Sequence, residues 1–285
     1  MLTLAKRNML LYFRDRSAVF FSLLSVAILI AVYVFFLGDL IADGIPEFPG
    51  RKGLLLTWVV AGILAVASIT TTLAAFGTYV EDRQRRTLDD FLVTPMKRSE
   101  LTGGYLLSSL AIGLIMTFTA LVAADFMLLA AGQPLLTAVQ LLQAAGIIAL
   151  SVLSAGSLFL LLVRFFRTSN AFAAASTLIG TTIGFLAGIY IPIGSLPGYL
   201  QSVIQLVPVS HAALLFRQVL MAPYLTDAFA GAPAAKSEQF HEALGITFHL
   251  GDTALNPLFS VLYLIGSAAL FFLVAVLVPK RLKRS

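Results

Sequence analysis

Residues 17–37, SAVFFSLLSVAILIAVYVFFL, carry no charged side chain and are long enough to cross a bilayer as one helix. A membrane-spanning helix needs about 20 consecutive apolar residues. Basic residues precede this run, as they precede a signal peptide, but the run is longer than a signal peptide's apolar region. No small-residue cleavage site follows it either. The stretch therefore predicts a retained membrane span.

The composition of the whole chain supports this interpretation. Of its 285 residues, 59% are hydrophobic and only 12% are charged, whereas soluble domains are about half apolar and a quarter charged. The chain has no cysteine, which excludes disulfides and thiolate metal sites. The net charge of +5 comes from basic residues beside apolar runs, which indicates membrane topology and no nucleic-acid partner.

Five further apolar runs have a suitable length, so we predict an all-α polytopic membrane protein that forms a single transmembrane domain over residues 1–285. The six predicted transmembrane helices are 17–37, 54–79, 103–131, 138–163, 171–191 and 257–278.

Residues 192–221 are interrupted by Pro192, Pro197 and Pro208, and each apolar piece is too short to cross a bilayer. From Leu196 to Val207 the apolar residues recur with helical periodicity. We predict an outward re-entrant pair of half-helices before the last span, followed by an extracellular excursion over 222–256. One irregular seventh span is the alternative.

The positions of lysine and arginine predict the orientation. Fifteen lie in the N-terminal segment, in the loops 80–102 and 164–170, and at the C-terminus, against four on the other side. We therefore expect both termini in the cytoplasm of a multi-pass protein of a prokaryotic-type cell membrane.

The first 16 residues mix apolar and basic side chains. Leu2, Leu10 and Phe13 can face lipid while Lys6, Arg7 and Arg14 reach the anionic headgroups of the membrane lipids. We predict an interfacial amphipathic connecting helix over 1–16. A cytoplasmic extension of the first span is the alternative.

The loop 80–102 contains a second pattern. Thr87 and Asp90 have the spacing of a helix N-cap with an acidic third residue, and a short helix over about 87–93 would end before Pro95. Leu88, Phe91 and Leu92 would form an apolar face that fits a groove on a partner protein. An ordinary solvated, positive loop is the alternative.

Several other sequence patterns bear on catalysis, metal binding and helix packing. The chain lacks the G-x-x-x-x-G-K-[ST] phosphate loop, so it is not expected to be an enzyme that hydrolyses ATP. The three histidines lack zinc-protease spacing, and we predict no catalytic, cofactor-binding or metal residue. Asp125 is the one clear acid within a span, where we expect interface solvation. Gly180, Gly184 and Gly188 recur every four residues, which predicts helix packing within the bundle or at a dimer seam.

The chain resembles the membrane subunit of ABC-2 type ABC exporters. Its basic amphipathic start resembles the connecting helix of that family. Residues 81–88, EDRQRRTL, with 92–98, LVTPMKR, resemble the family's coupling-helix region. Residues 191–197, IPIGSLP, with 207–211, VPVSH, resemble the outward hairpin before the final span. The excursion over 222–256 departs from the family pattern.

The resemblance implies an exporter permease for an amphipathic drug, lipid or peptide-like cargo. Two subunits, identical or homologous, would form the pore as a dimer. ATP and magnesium would bind to a separate ABC ATPase subunit that docks on the loop near 81–98. The docking residues would be Arg86, Thr87, Leu88, Phe91, Leu92 and Pro95.

Two other classes of function were considered. An ion- or proton-coupled secondary transporter usually needs ionisable groups near the membrane midplane, and these are scarce here. A membrane-embedded enzyme or sensor would need clustered acids, nucleophiles or metal ligands. Only the polar residues of 236–252 come close, and they are scattered along a loop.

Overall fold

The computed structural model describes residues 1–32, 50–229, 234–250 and 253–277, and this part of the chain is mainly helical. The helices are α1 Leu2–Arg14, α2 Arg16–Val32, α3 Arg51–Ala75, α4 Gly77–Gln84, α5 Thr87–Leu92, α6 Arg98–Ala130, α7 Ala138–Leu162, α8 Ser169–Leu186, α9 Gly198–Gln205, α10 Pro208–Leu220, α11 Ala222–Ala228, α12 Ala234–Ala243 and α13 Pro257–Leu277. Short 3₁₀ turns lie at Val163–Phe165 and Ile193–Ser195. A small antiparallel ladder pairs β1 His249–Leu250 with β2 Thr253–Ala254, inside the excursion for which no strand was predicted.

Four helical segments within the described residues are long and apolar enough to cross a membrane. They are Arg51–Gln84, Arg98–Ala130, Ala138–Phe165 and Pro257–Leu277, and they correspond to the second, third, fourth and last predicted spans. In the first predicted span, α2 is followed to Val32, and residues 33–37 lie outside the described part. α8 is not among the four, so the count of six spans stays a prediction.

α3 is the central helix of the bundle. Nearly all of its residues from Gly53 to Leu73 are buried, and it packs against α6, α7 and α10. Hydroxyl groups join the helices where they meet: Ser68 bonds Ser151 at 2.5 Å, and Ser154 bonds Ser267 at 2.8 Å. Such bonds between helices suit an environment where no water competes for them.

The predicted helix at the N-terminus is present as α1. It ends at Asp15, whose ψ of 86° is not helical, so α1 is separated from α2 and is not a continuation of the first span. Leu4, Asn8 and Tyr12 are buried, and the helix packs against α6. The residues expected to face lipid, Leu2, Leu10 and Phe13, are exposed. The helix and the exposure of these three residues agree with the prediction, and the position of α1 at the membrane interface stays a prediction.

The glycine pattern is explained differently from the prediction. α8 ends at Leu186, before the end of the predicted span 171–191. Gly188 has a φ of +65° and follows the helix end. The Gly188 amide donates to the Phe185 carbonyl and the Ile189 amide to the Gly184 carbonyl, which is a Schellman motif. The three glycines therefore do not form one stripe along a helix.

Their surroundings also differ. A methyl group on Gly184 would meet the ring of Tyr190, whereas one on Gly180 would meet nothing within 4 Å. A methyl group on Gly188 would contact Ile193 and Arg217. Gly184 and Gly188 therefore allow close packing inside this subunit, while Gly180 has no such contact.

Replacing Gly188 with alanine is expected to lower the free energy of unfolding by about 1–3 kcal/mol, because a side chain strains this left-handed position. The matched control is Gly180→Ala, in open space within α8, which should be neutral or slightly stabilising. The thermal midpoint of the detergent-solubilised protein is the measurement. Equal midpoints for the two variants would contradict this account of the turn.

The two ends of the bundle differ in character. α4 continues α3 and carries Arg83, which donates to the carbonyls of Arg164 and Phe166 at 2.7 and 2.9 Å. We call this end, formed by α1, α4, α5 and the turn 163–168, the basic face. The other end of α3 contacts Tyr224 beside Gly53. We call that end, formed by α9 to α12 around the start of α3, the opposite end.

α9 and α10 lie at the opposite end and are bent by 92° relative to each other. Pro208 is the first residue of α10, where its missing N–H and fixed φ favour a helix start. Tyr199 and Val203 of α9 are exposed, and so is Leu206 directly after it. The two short helices match the predicted pair in position and number.

Candidate partner interface

The short helix predicted in loop 80–102 is α5, but its start differs from the prediction. Arg86 precedes it with a left-handed φ of 60°. Thr87 is the first helical residue and not the N-cap, and no side-chain cap bond is formed. Asp89 and Asp90 lie in the first turn, where negative charge is favourable against the helix dipole.

The apolar side chains of α5 point mainly towards the protein itself. Leu88 and Phe91 are half-buried and pack against the main core, together with Met96. The Arg7 guanidinium lies 5.5 Å from the centre of the Phe91 ring. The side chain of Leu92 is outside the described part. The face expected to enter a groove on a partner is thus largely occupied by this chain.

A different set of side chains is available to a partner. Val93 is 87% exposed, and Pro95 beside it is also exposed. Charged and polar residues surround them. We call the whole set the outward surface: Arg85, Arg86, Asp89, Asp90, Val93, Thr94, Pro95, Lys97 and Arg98. Of the six predicted docking residues, Arg86 and Pro95 belong to it, and Thr87 is half-buried at its edge.

The base of this surface is fixed by an ionic network. Arg7 of α1 donates twice to the Asp82 carboxylate of α4, at 2.5 and 3.0 Å. The Tyr105 hydroxyl of α6 donates to the same carboxylate at 2.5 Å. Asp82 is only 5% exposed, and its bonds raise the pKa of the Arg7 guanidinium. The Asp82 carboxylate therefore joins α1, α4 and α6, and Arg7 also covers Phe91 of α5.

A second set of contacts joins α4 to the turn before α8. Besides the two bonds from Arg83, the Ser169 amide donates to the Gln84 side chain at 2.5 Å. α4 is thus bonded on one side to α1 and α6 and on the other to the start of α8. Because α4 continues into α3, a displacement of α5 and α4 would be transmitted to the central helix.

The sequence did not reveal the role of Arg7. It was assigned to lipid headgroups with Lys6 and Arg14, but its side chain turns to Asp82. Asp82 enters the sequence prediction only as part of the coupling-helix motif at residues 81–88. One sequence signal could have indicated this pair: Asp82 is an acidic residue next to a predicted membrane span. A buried carboxylate needs a charged or hydrogen-bonding partner.

The remaining candidate residues have structural contacts. Asp125 accepts a hydrogen bond from the Leu136 amide at 2.9 Å and so holds the turn after α6. His211 stacks on Tyr263 and contacts Ser260 at 2.9 Å. In the described ranges, no three His, Asp or Glu side chains are grouped closely enough to hold a metal ion.

Comparison with known proteins identifies the family of this chain. Residues 1–221 match the ABC-2 type transporter family. The chain is 27% identical over 203 residues to nodulation protein J of Rhizobium leguminosarum bv. trifolii, covering 69% of this chain and 72% of that protein. It is 26% identical over 192 residues to nodulation protein J of Rhizobium meliloti strain 1021, covering 67% and 70%. The chain therefore belongs to the ABC-2 type transporter family of membrane permeases.

Proposed function

We propose that this chain is the membrane-spanning subunit of an ATP-driven exporter and that a separate ABC ATPase docks on the outward surface. The supporting observation is the pairing of that surface with the Arg7–Asp82–Tyr105 network. One side of α5 is exposed and the other is packed on the bundle. A pushing or pulling partner could therefore act on α3 through α4.

The chemistry of the outward surface suits a protein partner. Val93 provides an exposed apolar centre, and acidic and basic side chains surround it. Complementary charge on the partner would fix its orientation and speed its association. The ATP and magnesium would be bound by that partner.

The topology proposed for this function has six spans, with both termini and the basic face in the cytoplasm of a prokaryotic-type cell membrane. α9 and α10 would enter the outer leaflet as a re-entrant pair. The strong bend between them and the exposed apolar side chains of α9 support this arrangement. Two copies, or one copy and a homologue, would form the translocation path.

An amphipathic cargo fits this proposal better than a coupling ion. Asp125 is the acid that the sequence places within a span, and its carboxylate is bonded to a turn outside α6. That role does not require it to bind a transported proton or ion. The ion-coupled alternative therefore has no specific support from this residue.

Replacing Val93 with aspartate tests the docking surface. The variant should fold normally because Val93 is 87% exposed. It should reduce recovery of the ATPase at least about tenfold, since a buried unpaired charge at an interface is strongly unfavourable. The measurement is co-purification of the ATPase from membranes that contain equal amounts of the chain.

Val139→Asp is the matched control, because Val139 is 65% exposed at the start of α7, at the opposite end. It should leave ATPase recovery unchanged. If Val93→Asp retains the ATPase as fully as the control does, the outward surface is not the docking site.

A further inference from the structure

The segment that follows α12 enters the bundle at the opposite end. Leu244, Ile246 and Phe248 are 4%, 2% and 2% exposed. Gly245, with a φ of +65°, allows the chain to turn there. We call residues 244–248 the plug. It lies beyond residues 1–221, the part of the chain that matches the transporter family.

Three consecutive carbonyls of the plug accept hydrogen bonds from bundle side chains. The Trp58 indole N–H donates to Leu244 at 2.8 Å, and the Gln218 amide donates to Ile246 at 2.8 Å. Between them, Arg217 donates to Gly245 at 3.3 Å. Trp58 belongs to α3, whereas Arg217 and Gln218 belong to α10. The plug therefore cross-links the central helix to the bent pair.

Arg217 also holds one wall of the slot that the plug occupies. It is 0% exposed, and it donates to the carbonyls of Ala187 and Gly188 at 2.8 and 2.9 Å. These carbonyls end α8, where the helix dipole favours a cation. The guanidinium lies 4.9 Å from the Trp58 ring centre. Of these three bonds from Arg217 to carbonyls, the one to Gly245 is the longest. Arg217 is therefore held less tightly to the plug than to the end of α8.

A polar cavity adjoins the plug. Its volume is about 170 Å³, and its lining includes Gln201, Ser202 and Gln205 of α9 with Thr247 and Phe248 of the plug. A cavity of this size and polarity can hold water. Water there could solvate the plug carbonyls when their bonds to the bundle break.

We propose that the plug is a releasable cross-link that holds the outer end of the subunit closed and leaves its slot in each transport cycle. This inference rests on the proposed function, because a plug bonded to both α3 and α10 would resist a movement of one helix relative to the other during transport. The plug is held in place by the burial of Leu244, Ile246 and Phe248 and by hydrogen bonds to its carbonyls, each of modest net strength. Its release would leave the bonds between Arg217 and α8 intact.

The absence of cysteine from the chain permits a direct test of the closed plug. Ile246→Cys introduces a single thiol, which a membrane-impermeant maleimide can label only when the plug opens. Ala243→Cys is the control, since Ala243 is exposed just before the plug. In the purified complex without nucleotide, labelling at position 246 should be at least about tenfold slower than at position 243. The reason is that the labelling rate at position 246 is proportional to the fraction of molecules in which the plug is open. Equal rates would overturn the plug assignment.

The hydrogen bonds can be tested in the same assay. Trp58→Phe combined with Gln218→Ala removes the donors to Leu244 and Ile246, and should accelerate labelling of Ile246→Cys about tenfold. Thr226→Ala is the control, because the exposed Thr226 hydroxyl donates to the Ala222 carbonyl of its own helix and not to the plug. An unchanged rate in the double variant would show that these bonds do not hold the plug.

ATP turnover separates the plug from the proposed function. In membrane vesicles with the partner ATPase, ATP should accelerate labelling of Ile246→Cys at least threefold relative to nucleotide-free vesicles. If ATP is hydrolysed and labelling stays at the nucleotide-free rate, the plug does not open in the cycle. If this chain neither retains nor stimulates an ATPase, the proposed function fails, and the nucleotide-free comparison still decides whether the plug is closed.

Discussion

Asp82→Ala is expected to lower the free energy of unfolding by about 3 kcal/mol. Asp82 is buried and accepts two hydrogen bonds from Arg7 and one from Tyr105. Its removal leaves the buried Tyr105 hydroxyl without this acceptor and the Arg7 charge without its partner, which is costly at a buried site. Arg7 is about one-third exposed, so water limits its share of the loss. The thermal midpoint in detergent is the direct measurement.

A double-mutant cycle isolates the ion pair. Arg7→Ala and Asp82→Ala should be strongly non-additive, because the second change removes a group that has already lost its partner. Arg7→Lys should restore only part of the stability, since lysine cannot form the two-pronged contact. Additive effects of the two alanine changes would contradict the network described here. The same variants should also lose ATPase coupling, because α5 rests on Arg7 through Phe91.

Arg217→Ala is expected to have a comparable or larger effect, about 3–5 kcal/mol. Arg217 is among the largest fully buried side chains in the described residues. Truncation leaves a cavity beside Trp58 and removes the donor to the carbonyls of Ala187, Gly188 and Gly245. Both the lost volume and the unsatisfied carbonyls are unfavourable.

Arg217→Met separates these two causes. Methionine fills much of the volume but donates no hydrogen bond. It should therefore recover the packing part of the loss and still destabilise the ends of α8 and α12. If the methionine variant were as stable as the wild type, the carbonyl contacts of Arg217 would not matter to the fold.

The sequence predicted the features that depend on local pattern. Apolar length located the four segments that can cross a membrane. The mixture of apolar and basic residues indicated α1, helical periodicity indicated α9, and the prolines of 192–208 indicated that α10 is a separate short helix. α5 was predicted because Thr87 and Asp90 have N-cap spacing and Pro95 limits the helix, although Arg86 is its N-cap residue. Each of these signals lies within about 30 neighbouring residues.

The features that the sequence did not reveal depend on distant contacts. Arg7 and Asp82 are 75 residues apart, and nothing in either segment specifies that they meet. Gly188 looked helical because its spacing from Gly184 is four, but the helix had already ended. Leu88, Phe91 and Leu92 were predicted to form an apolar face for a partner, whereas Leu88 and Phe91 pack against the core of this chain. Which surface they cover was decided by α1, which folds back against α6 and places Arg7 over Phe91.

Cross-linking from Val93→Cys tests the central claim most directly. The chain has no other cysteine, so a thiol-anchored cross-linker at position 93 reports only what docks beside α5. The account predicts one product that contains an ATPase with a phosphate-binding loop, and no such product from Val139→Cys at the opposite end. Two results would contradict the account, each in vesicles that show ATP-driven transport. One is that Val93→Cys yields no cross-linked ATPase product, and the other is that Val139→Cys yields such a product.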